Sequence, residues 1–181
     1  MKVSEKWLYS DKMSETRTIP FNIPLVLGSE YDFVRDAINN KSLGGDGIYS
    51  QKCAGLLEKI TGSQKVIMTT SCTDALEMAA ILTDISHGDE IIMASFNFVS
   101  AANAFVLRGA TIRFVDIDPV TMNLDVNCIE QAITLNTKVI VVMHYGGVSG
   151  DMTTIMDLAL KHNIFVIEDA AHCIGSYHNG K

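Results

Sequence analysis

From Lys65 to Ile167 the chain alternates short apolar runs with amphipathic stretches of about ten to fourteen residues, and that alternation leaves few folds open. The apolar runs at 65–69, 90–94, 111–115, 138–142 and 164–167 are too short for helices and rich in β-branched residues, which fits buried strands. Helices are predicted at 72–85, 98–108, 125–134 and 152–162, where Asp125 and Asp151 stand as N-caps. Val126, Ile129 and Ile133 give the third of these its apolar face. Strand–helix–strand units of this kind cross over right-handed and lay their strands parallel. The pattern therefore predicts an α/β fold, a three-layer sandwich with a mostly parallel sheet. At 181 residues the chain is long enough to bury a sizeable core of that design.

The segment before Lys65 is less regular. Residues 1–18 are polar and without periodicity, and they are expected to be frayed and dispensable. Ile19-Pro20-Phe21-Asn22-Ile23-Pro24 reads as extended. Ser29, with Asp32 three residues on, resembles a capping-box start, after which Tyr31, Val34 and Ile38 repeat at helical spacing. Gly44-Gly45-Asp46-Gly47 reads as a loop. A second helix places Cys53, Leu56, Leu57 and Ile60 on one face and ends at Gly62.

Charge and composition exclude several functions. A net charge of −7 offers no electrostatic footprint for nucleic acid. Hydrophobic residues make up 48%, yet no run approaches membrane-spanning length, and the first twenty residues lack the apolar core of a signal peptide. A soluble, cytoplasmic protein without a membrane partner is expected. Cys53, Cys72, Cys128 and Cys173 form no CxxC pair, so reduced thiols are expected and no metal site.

Ligands of open parallel sheets bind beyond the carboxyl ends of the strands, and several predicted strand ends here carry polar residues. After the strand at 164–167 come Glu168-Asp169-Ala170-Ala171-His172, which by itself also suits a surface acid pair. Thr69-Thr70-Ser71-Cys72-Thr73-Asp74 runs into a helix start, whose free amides and positive dipole end suit a phosphate. N-capping by Ser71 would account for only one of its hydroxyls. Ser95-Phe96-Asn97-Phe98-Val99-Ser100 offers either an aromatic plate for a flat ligand or a pair of phenylalanines closing the core. His144-Tyr145-Gly146-Gly147 adds a second histidine on a tight turn. A phosphorylated, flat, nitrogen-containing ring would use all of these, and pyridoxal 5'-phosphate fits. Its phosphate would lie on the helix start, its ring under Phe98 and its nitrogen on Asp169.

Ser-Cys-Thr-Asp-Ala-Leu at 71–76, Ser-Phe-Asn-Phe-Val-Ser at 95–100, Val-Asp-Ile-Asp at 115–118 and Glu-Asp-Ala-Ala-His at 168–172 resemble the DegT/DnrJ/StrS family of sugar aminotransferases, which have fold type I. The resemblance runs over residues 19–181. It implies that the chain is the N-terminal part of a PLP-binding large domain, stopping before the family's Schiff-base lysine and its small C-terminal domain. Lys181 aligns with a turn residue rather than that lysine, and residues 1–181 alone are expected to be inactive; the alternative readings are a non-catalytic remnant that binds PLP or dimerises, and a PLP-dependent sugar dehydratase on the same scaffold. The implied site comprises Ser71, Cys72 and Thr73 at the phosphate, Phe98 on the ring, Asp169 at its nitrogen and His172 near its phenolic oxygen. His144 and Tyr145 are placed towards substrate.

Residues 102–110 and 143–148 resemble the members acting on a dTDP-linked 4-keto-6-deoxy sugar, for bacterial surface polysaccharide. The resemblance further implies glutamate as amino donor and a homodimer with the Gly44–Gly47 loop near the partner's site. Ala94, Asn97 and Asp74 depart from the residues usual in the family, and Asp74 adds a negative charge that must turn away from a phosphate.

Overall fold

A computed structural model describes residues 19–20, 23–41 and 43–180. The extension at 1–18, Phe21, Asn22 and Lys181 lie outside the described residues. The chain divides into two compact units, 1–49 and 50–181.

In the first unit, helix α1 spans Ser29–Asn39, with its apolar positions at the surface. The capping-box reading is corrected here: Gly28 is the N-cap, at φ +100, and no side chain closes the helix start. Glu30 folds back instead, accepting the N–H groups of Leu27 at 3.0 Å and Gly28 at 2.7 Å. A glutamate reaches the preceding turn where a serine hydroxyl cannot. The Phe33 and Tyr49 rings meet edge to face at 5.6 Å, and the Tyr49 hydroxyl donates to Asp36 at 2.7 Å. Helix α2, Ile48–Thr61, ends at Gly62, whose positive φ lets its N–H close on the Glu58 carbonyl at 2.9 Å.

The second unit contains α2 from Ser50 onward, then α3 (Cys72–Leu82), β1 (Glu90–Ala94), α4 (Val99–Val106), β2 (Thr111–Val115), α5 (Val126–Ala132), β3 (Thr137–Met143), α6 (Met152–His162) and β4 (Phe165–Asp169). The strands form one sheet in the order β2-β1-β3-β4, every neighbouring pair parallel. Alternate residues feed two cores. Ile91, Met93, Val139 and Val141 pack with Leu76 and Ala80 of α3 and Ala101, Ala104 and Phe105 of α4. Ile92, Ala94, Ile140 and Val142 pack on the other face with Ile129 of α5 and Ile155 and Ala159 of α6. The result is the three-layer α/β/α arrangement that the alternation implies.

The strand expected at 65–69 does not form. Those residues have no strand partner among the described residues, and the Val66 N–H bonds the Glu58 carboxylate at 3.2 Å instead. Ile67 and Met68 are exposed. An apolar, β-branched run becomes a strand only when a neighbouring edge takes up its amides, and composition does not supply that neighbour.

Helix α6 shows how tightly the local signals are tied to the chain. Asp151 accepts the Thr154 N–H at 3.1 Å and the Thr154 hydroxyl at 2.7 Å, and Asn163 ends the helix in the left-handed region at φ 56. The bonds from Thr154 hold the Asp151 carboxyl below its ordinary value of 3.8. Asp151→Ala is expected to cost about 1 kcal/mol of unfolding free energy at neutral pH. Because the folded pKa is depressed, that contribution is complete above about 3.8 and fades as the pH falls through the folded value. Urea unfolding of the two proteins at pH 7 and pH 3 checks it. A constant difference would mean that the carboxylate is not the capping species.

Candidate active site

The C-terminal ends of β1, β3 and β4 and the N-terminal end of α3 surround a cavity of about 250 Å³. Cys72 and Thr73 line it from α3, Asn97 and Phe98 from the turn after β1, Ser100 from the first turn of α4, Met143 and His144 from the end of β3, Asp169 from the end of β4 and His172 from the turn beyond it. Six of the residues singled out in the sequence therefore meet at one place: Cys72, Thr73, Phe98, His144, Asp169 and His172. Two do not line it. Ser71 is the N-cap of α3, accepting the Asp74 N–H at 3.1 Å, and Tyr145 leans its ring on Phe96 at 5.2 Å.

The start of α3 is free to take an anion. Ser71 occupies the Asp74 amide, while the Cys72 and Thr73 N–H groups have no acceptor among the described residues. The Thr73 hydroxyl donates to Ser100 at 3.0 Å, tying α3 to α4. The Asp74 carboxylate accepts from the Thr70 hydroxyl, the main reason why its pKa lies below the usual carboxylate range. It does not line the cavity, so its charge is turned away from it.

Phe98 is not core. It stands at the N-cap of α4, 73% exposed, whereas Phe105 near the other end of the same helix is completely buried. Asn97 accepts the Phe98 N–H through Oδ1 at 2.7 Å, which leaves Nδ2 buried without a partner among the described residues.

Asp169 ends β4 and is 9% exposed. Its Oδ1 accepts the Cys72 thiol at 3.4 Å and the Ala171 N–H at 3.3 Å. Burial, reinforced by the Asp169 charge and this bond, pushes the Cys72 thiol up to about 11. At pH 8 only ~0.1% of it is thiolate, so alkylation by iodoacetamide is expected to be slow at Cys72. Asp169→Asn removes the charge and should accelerate labelling several-fold, with Cys53, exposed like Cys72, as internal comparison in peptide mapping. Equal rates in both proteins would exclude the contact.

His144 is held from both sides. Nδ1 accepts the Gly150 N–H at 3.1 Å, so the ring proton sits on Nε2 and points to Glu168 Oε2 at 2.9 Å. That bond holds the Glu168 carboxyl below its ordinary range. The turn beyond is latched by Asn123, a buried residue that sequence reading passed over. It accepts the Tyr145 N–H at 2.8 Å and donates to the Val148 carbonyl at 2.9 Å. Nothing in the chain's periodicity marks Asn123, because its partners lie more than twenty residues away.

Comparison with known proteins decides the family. Residues 28–181 match the DegT/DnrJ/EryC1/StrS aminotransferase family. The chain belongs to that family. Relatives of this DegT/DnrJ/EryC1/StrS chain include GDP-perosamine synthase of Escherichia coli O157:H7, 36% identical over 163 residues, covering 90% of the chain and 45% of the relative. The spore coat polysaccharide biosynthesis protein SpsC of Bacillus subtilis (strain 168) is 36% identical over 156 residues, covering 86% and 40%. Among solved structures, NtdA from Bacillus subtilis with bound cofactor PMP superposes with a TM-score of 0.83 at 30% identity, covering 93% of the chain and 40% of NtdA. The chain thus spans less than half the length of these curated relatives. Members of the DegT/DnrJ/EryC1/StrS family are sugar aminotransferases and depend on pyridoxal phosphate.

Proposed function

We propose that the protein transfers an amino group to a nucleotide-linked keto sugar for surface polysaccharide, with pyridoxal phosphate as cofactor and glutamate as donor. The observation that carries this reading is the meeting of free helix-start amides, an exposed aromatic ring and a buried carboxylate around one cavity. The residues fit the cofactor on a second count, since amides without acceptors at Cys72 and Thr73 suit a phosphate while the Asp169 carboxylate on the same cavity suits a protonated ring nitrogen. Bound there, pyridoxal phosphate supplies an electron sink for amino-group transfer.

The chain's own residues divide the remaining work. The amides of Cys72 and Thr73, backed by the positive end of α3 that Ser71 caps, hold the phosphate. Phe98 covers one face of the ring and excludes water. Asp169 keeps a proton on the ring nitrogen, and His172 lies towards the phenolic oxygen. His144 and Tyr145 face the substrate side. Since both His144 nitrogens are engaged, His144 acts as a wall there rather than as a donor.

The sugar is proposed to be a 4-keto-6-deoxy sugar. The resemblance at 102–110 and 143–148 supports a dTDP carrier, whereas the name of GDP-perosamine synthase supports a GDP carrier. Family resemblance also supports a homodimer. The test supplies a version extended to the full length of the relatives with pyridoxal phosphate, glutamate and either the dTDP- or the GDP-linked 4-keto-6-deoxy sugar, and follows the amino sugar by mass spectrometry. Turnover of one carrier over the other assigns the nucleotide. Absence of both turnover and cofactor binding would end the proposal.

A further inference from the structure

The carboxylate of Asp169 is held asymmetrically. Oδ1 takes two donors, the Ala171 N–H at 3.3 Å and the Cys72 thiol at 3.4 Å. Oδ2 has no partner among the described residues and is not sealed away from the cavity that Asp169 lines. The terminal torsion of an aspartate is soft and roughly two-fold, so a single long amide bond would leave the carboxylate free to swing. The second donor comes from the opposite wall, 97 residues away in sequence.

We infer that Cys72 is a positioning residue whose thiol, together with the Ala171 amide, pins Oδ1 and leaves Oδ2 of Asp169 facing the ring nitrogen of a bound pyridoxal phosphate. The inference rests on the cofactor reading above. Cys72 then serves the site twice, since its backbone N–H also belongs to the free start of α3. The same residue links the phosphate end of the cavity to the carboxylate end. Its role requires a protonated thiol, which a cysteine already is at neutral pH and which partial desolvation beside Asp169 favours further.

The experiment titrates pyridoxal phosphate into the protein and into Cys72→Ala, Cys72→Ser, Asp169→Ala and the double variant Cys72→Ala/Asp169→Ala, reading binding by absorbance. Loss of one such hydrogen bond corresponds to ~3–10-fold in Kd. Cys72→Ala is expected to weaken binding by that factor and to alter the absorbance spectrum of the bound cofactor. Cys72→Ser, which keeps a donor, should restore both. In the Asp169→Ala background the Cys72 change should have no further effect. Cys72→Ala binding like the parent, or an equal loss with Asp169 already removed, overturns the positioning role while the cofactor reading stands. A parent that binds no more tightly than Asp169→Ala overturns the cofactor reading itself, and the inference with it. Unchanged melting of the ligand-free variants separates either result from misfolding.

Discussion

In a version extended to the full length of the relatives, Asp169→Asn is expected to lower kcat for sugar transamination by ~100-fold or more, about 2.7 kcal/mol in barrier, while pyridoxal phosphate binding weakens far less. The asparagine keeps the shape of the side chain at the end of β4 but cannot supply the negative charge that keeps a proton on the ring nitrogen. The substitution leaves untouched the Cys72 and Thr73 amides, which are the proposed ligands of the phosphate. The two readouts therefore separate, as they do when a mutation removes an interaction felt mainly in the transition state. Steady-state kinetics beside equilibrium cofactor binding measure both. Activity within about twofold of the parent, a change of ~0.4 kcal/mol, would show that Asp169 does not face the ring nitrogen.

The largest effect on stability is expected at Phe105. It is fully buried, within a cluster that includes Leu76, Ala80, Ile91, Met93, Val139 and Val141. Phe105→Ala removes the whole ring from the layer between α3, α4 and the sheet, and should cost about 3–5 kcal/mol. That is a large part of the ~5–15 kcal/mol by which a domain is stable. Phe98→Ala makes the matching control, since its ring is 73% exposed. It should leave stability within about 0.5 kcal/mol but weaken pyridoxal phosphate. Urea unfolding of the two variants decides the matter: similar losses at both positions would mean that Phe98 belongs to the core after all.

The alternation of periods located β1 to β4 and α3 to α6 to within a few residues, because burial on two faces of a parallel sheet imposes its pattern locally. It failed at 65–69, where the pattern is present but the neighbour is not. The rim residues were readable for a similar reason: a strand end is a place, and Asp169, Phe98 and Cys72 stand at such places. What links them was not readable. The Cys72–Asp169 bond, the His144–Glu168 bond and the Asn123 latch each join residues from 22 to 97 positions apart. Ser29 misled for the opposite reason, since two helix-start signals overlap there and the longer reach of Glu30 won.

The pairing of β4 with β3 sets Met143 beside Asp169 and Val142 beside Glu168, and the two acids point to opposite faces of the sheet. Which of them serves the cavity is thus a question of parity. One residue added between Asn163 and Phe165 and carried into the strand as a register shift would present Glu168 to Cys72 and send Asp169 to the far side, whereas one removed would put Ala170 in the place of Asp169. The chemistry of the site is in this sense addressed by counting along the chain. A lineage carrying this fold can exchange many residues along β4 yet has almost no freedom to change the length of the turn that leads into it.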